Sequence, residues 1–259
     1  MDVIHSTGLG WGATFVATGL VLRAATAPAH VFAEKLFAKR MHATNYIHQT
    51  LLKRVGEHYR VKVVPNEEGT KLVLKTNDKA IQAKAESLSD EHIATYVLQN
   101  KLQATRIQNL KMFTVPIWIF SSFAIRNVIS GDFTPAIPGA LWINDLLMPD
   151  PYLVLPAMVG IFGFINLYSQ RFIYPVKMTS WRMRGYDAAL ALITIVAVRI
   201  MMDLPACIPL YWLVVSTSGM AQNMILRHPK VKTALGIPRL PTDSNTPLRD
   251  LFLMRRPKV

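Results

Sequence analysis

Arg23 stands inside an apolar run that extends from about Leu9 to Phe32. An arginine in a membrane-spanning helix costs about 2.5–3.5 kcal/mol to insert, so it is expected to face protein or water rather than lipid. Trp11, an aromatic residue of the kind enriched at membrane interfaces, precedes it by 12 positions. At about 1.5 Å of helix rise per residue this puts Arg23 roughly 18 Å deeper. Thr26 and His30 follow at i+3 and i+7 and extend one polar helix face. The chemistry on offer there is electrostatic: a fixed positive charge with polar side chains beside it, of the kind that usually marks a pathway through the membrane. The bland alternative is that Arg23 snorkels to the nearer headgroups or binds a carbonyl.

Three other apolar segments carry polar groups. Tyr211, Ser218 and Gln222 fall at i, i+7 and i+11 on a single helical face. Trp118, Ser121 and Ser122 lie in a second segment, and Asn166, Ser169 and Gln170 near the end of a third. Taken singly, such residues hold helices together. Taken together they predict a shared polar groove for substrate, lined by Arg23, Thr26, Trp118, Ser122, Tyr211, Ser218 and Gln222. The sequence lacks HExxH, G-x-S-x-G, a phosphate loop and a Gly-rich nucleotide fingerprint. The seven histidines do not cluster at metal-ligand spacing, and the single cysteine, Cys207, excludes an intrachain disulfide. The expectation is a non-enzyme with no cofactor, metal or catalytic residue.

The elements that must position these residues are apolar segments near Leu9–Phe32, Met112–Ile129, Pro151–Gln170, Ala188–Met202 and Leu204–Leu226. A bilayer core about 30 Å thick needs about 20 apolar residues. The third and fifth segments meet this easily, whereas the second and fourth are short before Arg126 and Arg199. Pro116, Pro156 and Pro209 are expected to kink or loosen their helices. Arg126 reads as a snorkelling end residue, and Arg199 and Asp203, at i and i+4, as an ion pair.

Of the 29 Lys and Arg residues, 26 fall in 34–111, 171–186 and 227–259. Membrane proteins keep such residues on the inner side, which predicts the N-terminus outside and the C-terminus inside. Trp11, Trp142 and Tyr152 stand at the expected outer interface. The formal charge of +13 is accounted for by anionic lipid heads, since no nucleic-acid-binding motif accompanies it. The start, MDVIHSTGLGWG, is neither a basic-then-apolar signal peptide nor an Arg-rich transit peptide.

The fold class expected is an all-α polytopic membrane protein of five transmembrane helices with an inner-side helical hairpin and a short strand-like tip. The domains follow: 1–33, first transmembrane helix; 34–111, basic hairpin; 112–226, helices two to five; 227–259, basic tail. Within the hairpin, RVKVVPNEEGTKLVLKT reads as two strands about a Pro-Asn-Glu-Glu-Gly turn. The following helix has a possible break at Ser87–Ser89 and an apolar stripe of Ile93, Tyr96 and Val97. An independent small soluble domain is the alternative for this excursion. The proline-punctuated tail is expected to be extended and partly disordered.

VLRAATAPAH, LWINDLLMPDPYLVLPAM and LPACIPLYWLVVSTSGMAQNMILRHPKVKTALGIP resemble motifs of the YidC/Oxa membrane insertases over nearly the whole chain. PIWIFSSFAIRNVISGD and NTPLRDLF resemble the mitochondrial branch that assembles cytochrome c oxidase. The resemblance implies five spans, a groove arginine at Arg23 and a location in the mitochondrial inner membrane with the N-terminus in the intermembrane space. It also implies client membrane proteins, chiefly oxidase subunit 2, whose C-terminal domain is exported, with assembly chaperones as further partners. The long basic C-terminal helix of ribosome-binding relatives is not expected here, and the strand-like tip departs from the family plan. A passive assembly scaffold, a general bacterial-type insertase and a channel or secondary transporter remain as alternatives.

Overall fold

The computed structural model describes residues 1–65, 72–131, 137–173, 180–240 and 243, with side chains excluded at 169–173 and 180. Its elements are α1 (Asp2–His5), α2 (Trp11–Tyr59), β1 (Val63–Pro65), β2 (Leu72–Leu74), α3 (Lys79–Gln99), α4 (Ala104–Met112), α5 (Thr114–Ile129), α6 (Val154–Ile173), α7 (Ser180–Met202), α8 (Cys207–Arg227) and α9 (Pro229–Ala234). They form two compact units, one of residues 1–28 and 113–224, the other of 29–112 and 225–259. The division crosses α2 at Pro28, the proline inside that helix, whose missing N–H removes one bond of the ladder.

Three described helical segments are long and apolar enough to cross a membrane: one within α2, one over Ala104–Ile129 and one over Trp181–Met202. The second and fourth segments, short by sequence, gain length because α4 leads into α5 and α7 begins at Ser180. The described apolar part of α6, Val154–Tyr168, is shorter, and α8 carries the polar residues that lower its hydropathy. Pro116 follows the interruption of the α4–α5 run at Phe113, and Pro156 and Pro209 lie at the starts of α6 and α8. Each is the third residue of α5, α6 or α8, in the first turn, where N–H groups lack an intrahelical acceptor anyway.

In the first unit, the core gathers Phe15 of α2, Trp118 and Ile125 of α5, Leu155 of α6, and Cys207, Tyr211 and Val215 of α8, with Ile137, Ile143 and Leu146 of the loop before α6. That loop is knitted internally. Pro138 pairs with Asp145 in an isolated antiparallel bridge. The amides of Ala206 and Cys207 donate to the carbonyls of Met148 and Leu146, so the loop braces the start of α8. Asp150, 2 % exposed, accepts from the Trp142 indole N–H at 3.0 Å and from the amides of Tyr152 at 3.1 Å and Leu155 at 2.7 Å. It thereby caps α6. Asp150→Ala leaves these donors unsatisfied, at about 1–3 kcal/mol for a buried one. The expected result is a lower melting temperature of the detergent-solubilised protein, with Asp150→Asn intermediate.

In the second unit, α3 returns along α2. Ala33 and Leu36 meet Val97, Leu102 and Ile107 in one cluster, while Leu52 and Val55 meet Leu74 and Ala85 in another. The strands form an antiparallel pair with Val64 opposite Val73; most of the turn between them lies outside the described residues. Helix α3 runs unbroken through Ser87–Ser89, because the buried Ser89 hydroxyl meets His48 Nδ1 at 3.0 Å across the hairpin seam. Ile93 and Val97 pack in the first cluster, whereas Tyr96 is exposed. Helices α2 and α3 end alike. Arg60 and Lys101 have φ of 55°, and the next amides, of Val61 and Leu102, donate to Gly56 and Val97 carbonyls at 2.8 and 2.9 Å, closing each helix as a Schellman turn.

The first part of the tail is ordered, contrary to the extended reading. Pro229 opens α9, Gly236 with φ 65° closes it, and Ile237 packs with Ala38 and Leu226. Lys232, 4 % exposed, reaches both carboxylate oxygens of Asp243 at 2.6 Å. Lys232→Ala is expected to cost this unit about 3–5 kcal/mol, because it strands a buried carboxylate. Limited proteolysis of the segment after Ala234 should speed up, and the double variant Lys232→Met/Asp243→Leu should recover most of the protection.

Candidate functional site: a polar cluster around Arg23

Arg23 projects from α2 into a cluster built by α5, α6 and α8, all within the first unit. Its terminal guanidinium nitrogen donates to the Val215 carbonyl at 2.7 Å, and its Nε donates to the Ser218 hydroxyl at 3.4 Å. The same Val215 carbonyl also accepts from the Ser218 hydroxyl at 3.2 Å. The guanidinium carbon lies 4.6 Å from the centre of the Trp118 ring, within cation–π range. Among the described residues no carboxylate pairs with Arg23, whereas Lys111 pairs with Glu34, Arg199 with Asp203 and Lys232 with Asp243. Its charge is therefore held by dipoles and an aromatic face.

Gly219 makes this possible. A Cβ there would lie 2.8 Å from the Arg23 terminal nitrogen and 3.5 Å from the Asn166 amide nitrogen. The absent side chain is what lets α2 and α6 bring their polar groups against α8. One turn on, Asn223 Nδ2 donates to Asn166 Oδ1 at 2.9 Å. One face of α8 thus presents Tyr211, Val215, Ser218 and Gln222, while Gly219 and Asn223 stand beside it.

The remaining residues divide. Tyr211 is fully buried and shares a short hydrogen bond with Ser121 of α5. Thr26 donates to the Leu22 carbonyl at 2.9 Å, and Ser122 to the Trp118 carbonyl at 2.8 Å; both hydroxyls are engaged within their own helices. Gln222 differs: its amide oxygen and nitrogen are buried and hydrogen-bond to none of the described residues. Ser169 and Gln170 lie outside the described side chains. Of the three interfacial aromatics expected, Trp11 stacks on His5 at 3.9 Å and Trp142 turns to Asp150; Tyr152 is exposed. Arg126 is exposed at the end of α5, and Arg199 pairs with Asp203.

Sequence reasoning missed Gly219, Asn223 and the Val215 carbonyl. Gly219 follows Ser218 directly in STSG, and the run of small residues was the available signal. Asn223 neighbours Gln222 but falls on the flank of the face, and a backbone carbonyl leaves no trace in residue types.

No family model matches the chain. It is 34% identical over 149 residues to cytochrome c oxidase assembly protein COX18, mitochondrial, of Pongo abelii, covering 53% of this chain and 44% of that protein. With the human protein of the same name it shares 28% identity over 270 residues, 97% of this chain and 75% of the relative. The mitochondrial inner membrane protein OXA1 of Arabidopsis thaliana is 25% identical over 256 residues, 97% of this chain and 54% of its own length. Over nearly its whole length the chain is thus similar to COX18 and OXA1 proteins, which supports the YidC/Oxa resemblance and its COX18 branch. The chain spans less than half of the Pongo abelii relative.

Proposed function

We propose that this protein is a mitochondrial inner-membrane insertase that moves a hydrophilic tail, the C-terminal domain of cytochrome c oxidase subunit 2, across the bilayer through the Arg23 cluster. The observation that carries the reading is a half-buried arginine on an apolar helix, bound by a carbonyl, a hydroxyl and an indole face, with no described carboxylate to neutralise it. The names of the COX18 and OXA1 relatives support the setting.

On this reading the chain crosses the membrane five times, through the first part of α2, the α4–α5 run, α6, α7 and α8, with the N-terminus outside and the C-terminus in the matrix. Residues 34–111 form the matrix-side hairpin, whose basic residues collect clients and touch anionic lipid. The lengths of α6, α7 and α8, 20, 23 and 21 residues, suit a bilayer core of about 30 Å.

The mechanism is partial hydration. A polar tail in lipid loses water from every peptide group. The groove residues replace part of that water, and the unsatisfied amide of Gln222 matches the donor and acceptor of a peptide group. Arg23 draws acidic residues inward. Across an energised membrane, positive outside, each negative charge exported gains about 2.3 kcal/mol per 100 mV. No bond is made or broken, and no cofactor is required.

Protease accessibility of the subunit 2 C-terminal domain in mitoplasts tests this. Depletion of the protein should leave that domain protected, and re-expression should expose it again. Normal exposure with failed later assembly would replace the insertase by the passive scaffold.

A further inference from the structure

The loop between α5 and α6 carries a set of exposed apolar side chains that its own fold leaves uncovered. Leu141 is 90 % exposed, Tyr152 72 % and Met148 61 %, with Leu153 beside them. The two carboxylates of residues 141–153 are turned to internal work at the same time. Asp150 is buried beneath the Trp142 indole and the start of α6, and Asp145 Oδ1 accepts from the Leu147 amide at 2.9 Å. Within residues 141–153 both carboxylates thus bond into the frame, while Leu141, Met148, Tyr152 and Leu153 are exposed beside Asn144.

The backbone adds a second, independent observation. Leu141 and Leu153 have φ of 60° and 57°, the left-handed region that a leucine enters at a cost. Such strain persists where surrounding structure enforces it, and it marks positions with a role beyond the fold. Here the enforcing structure is the Pro138–Asp145 bridge on one side of Leu141 and the Asp150 cap beside Leu153. The result is a largely exposed Leu141 and a partly exposed Leu153 at the two ends of this internally bonded stretch.

We propose that residues 141–153 form an interfacial anchor, with Leu141, Met148, Tyr152 and Leu153 set into the phospholipid headgroup–acyl boundary. Lipid is the occupant favoured, for two reasons. The loop joins two helices that themselves expose apolar side chains, Phe123 of α5 and Ile161 of α6. The patch also presents a tyrosine ring with its polar tip free, the amphipathic form suited to that boundary. Because the same loop bonds the first amides of α8 through Met148 and Leu146, anchoring it sets the depth of the helix that carries Ser218 and Gln222.

This inference rests on the membrane-spanning reading, and the test separates the two. The full chain, with Cys207→Ser to remove its one thiol, is reconstituted in phosphatidylcholine–phosphatidylethanolamine vesicles. It carries a nitroxide on Leu141→Cys, on Tyr152→Cys or on Ile193→Cys, an exposed position of α7. The labels at 141 and 152 should meet oxygen severalfold more readily than a water-soluble nickel chelate, as the label at 193 does. Adding Leu141→Asp should shift the label at 152 toward water. Nickel access at 141 and 152 with oxygen access at 193 overturns the anchor alone. Nickel access at all three overturns the spanning reading. Labels that face water in vesicles but become immobilised in mitochondrial membranes overturn the lipid occupant in favour of a protein partner.

Discussion

Arg23→Ala is expected to lower export of the acidic tail by roughly tenfold to a hundredfold while the protein itself still inserts. A charge-assisted hydrogen bond contributes about 1.5–3 kcal/mol, and each 1.36 kcal/mol of barrier is about tenfold in rate. The substitution removes the charge that an incoming carboxylate would meet, and it relieves the helix of an arginine in an apolar run, so stability should not fall in step. Arg23→Lys keeps the charge and loses the forked geometry that reaches both Val215 and Ser218; intermediate export is the expected result. The measurement is the fraction of subunit 2 tail open to protease in mitoplasts, with a second client tail made neutral by substitution. If Arg23→Ala exports the acidic tail at the normal rate, attraction by this charge plays no part.

Gly219→Leu should reproduce most of that loss without touching any charge. A Cβ alone would sit 2.8 Å from the guanidinium nitrogen and 3.3 Å from its central carbon, closer than ordinary contact. A leucine fills the space the guanidinium occupies and pushes it off Val215 and Ser218. Gly219→Ala should be milder, because the Arg23 side chain is flexible enough to yield by a few tenths of an ångström. The two variants, read in the same protease assay with protein level in the membrane as control, give a graded series set by volume at one position. Full export by Gly219→Leu would show that the close packing of Arg23 on α8 is dispensable.

The contrast between Arg23 and Gln222 bears on how the site works. Arg23 is already bound, so it is preorganised and gives little away on meeting an anion. Gln222 is buried and unmatched, a state that costs about 1–3 kcal/mol for such groups. Under the proposed mechanism that cost is recovered when a peptide group passes.

Much of this protein is settled by its sequence. Alternation of apolar runs with basic stretches marks a helical membrane protein. Val63–Pro65 and Leu72–Leu74 flank a turn sequence strongly enough to be read as strands, and they pair as strands. The spacing of Arg199 and Asp203 predicts their pairing because helix geometry is local. Residue type likewise singles out Arg23, since a charge in an apolar run stands out whatever the fold. What the tertiary structure decides depends on neighbours from distant helices. It decides that Arg23 meets Val215, Ser218 and Trp118, that Gly219 is the space for it, and that Thr26 and Ser122 spend their hydroxyls on their own helices. It also places Pro156 and Pro209 in the first turns of their helices, and folds the first part of the tail around the Lys232–Asp243 pair. Periodicity shows which side of a helix is polar; which partner fills each hydrogen bond is chosen by packing, which no single segment encodes.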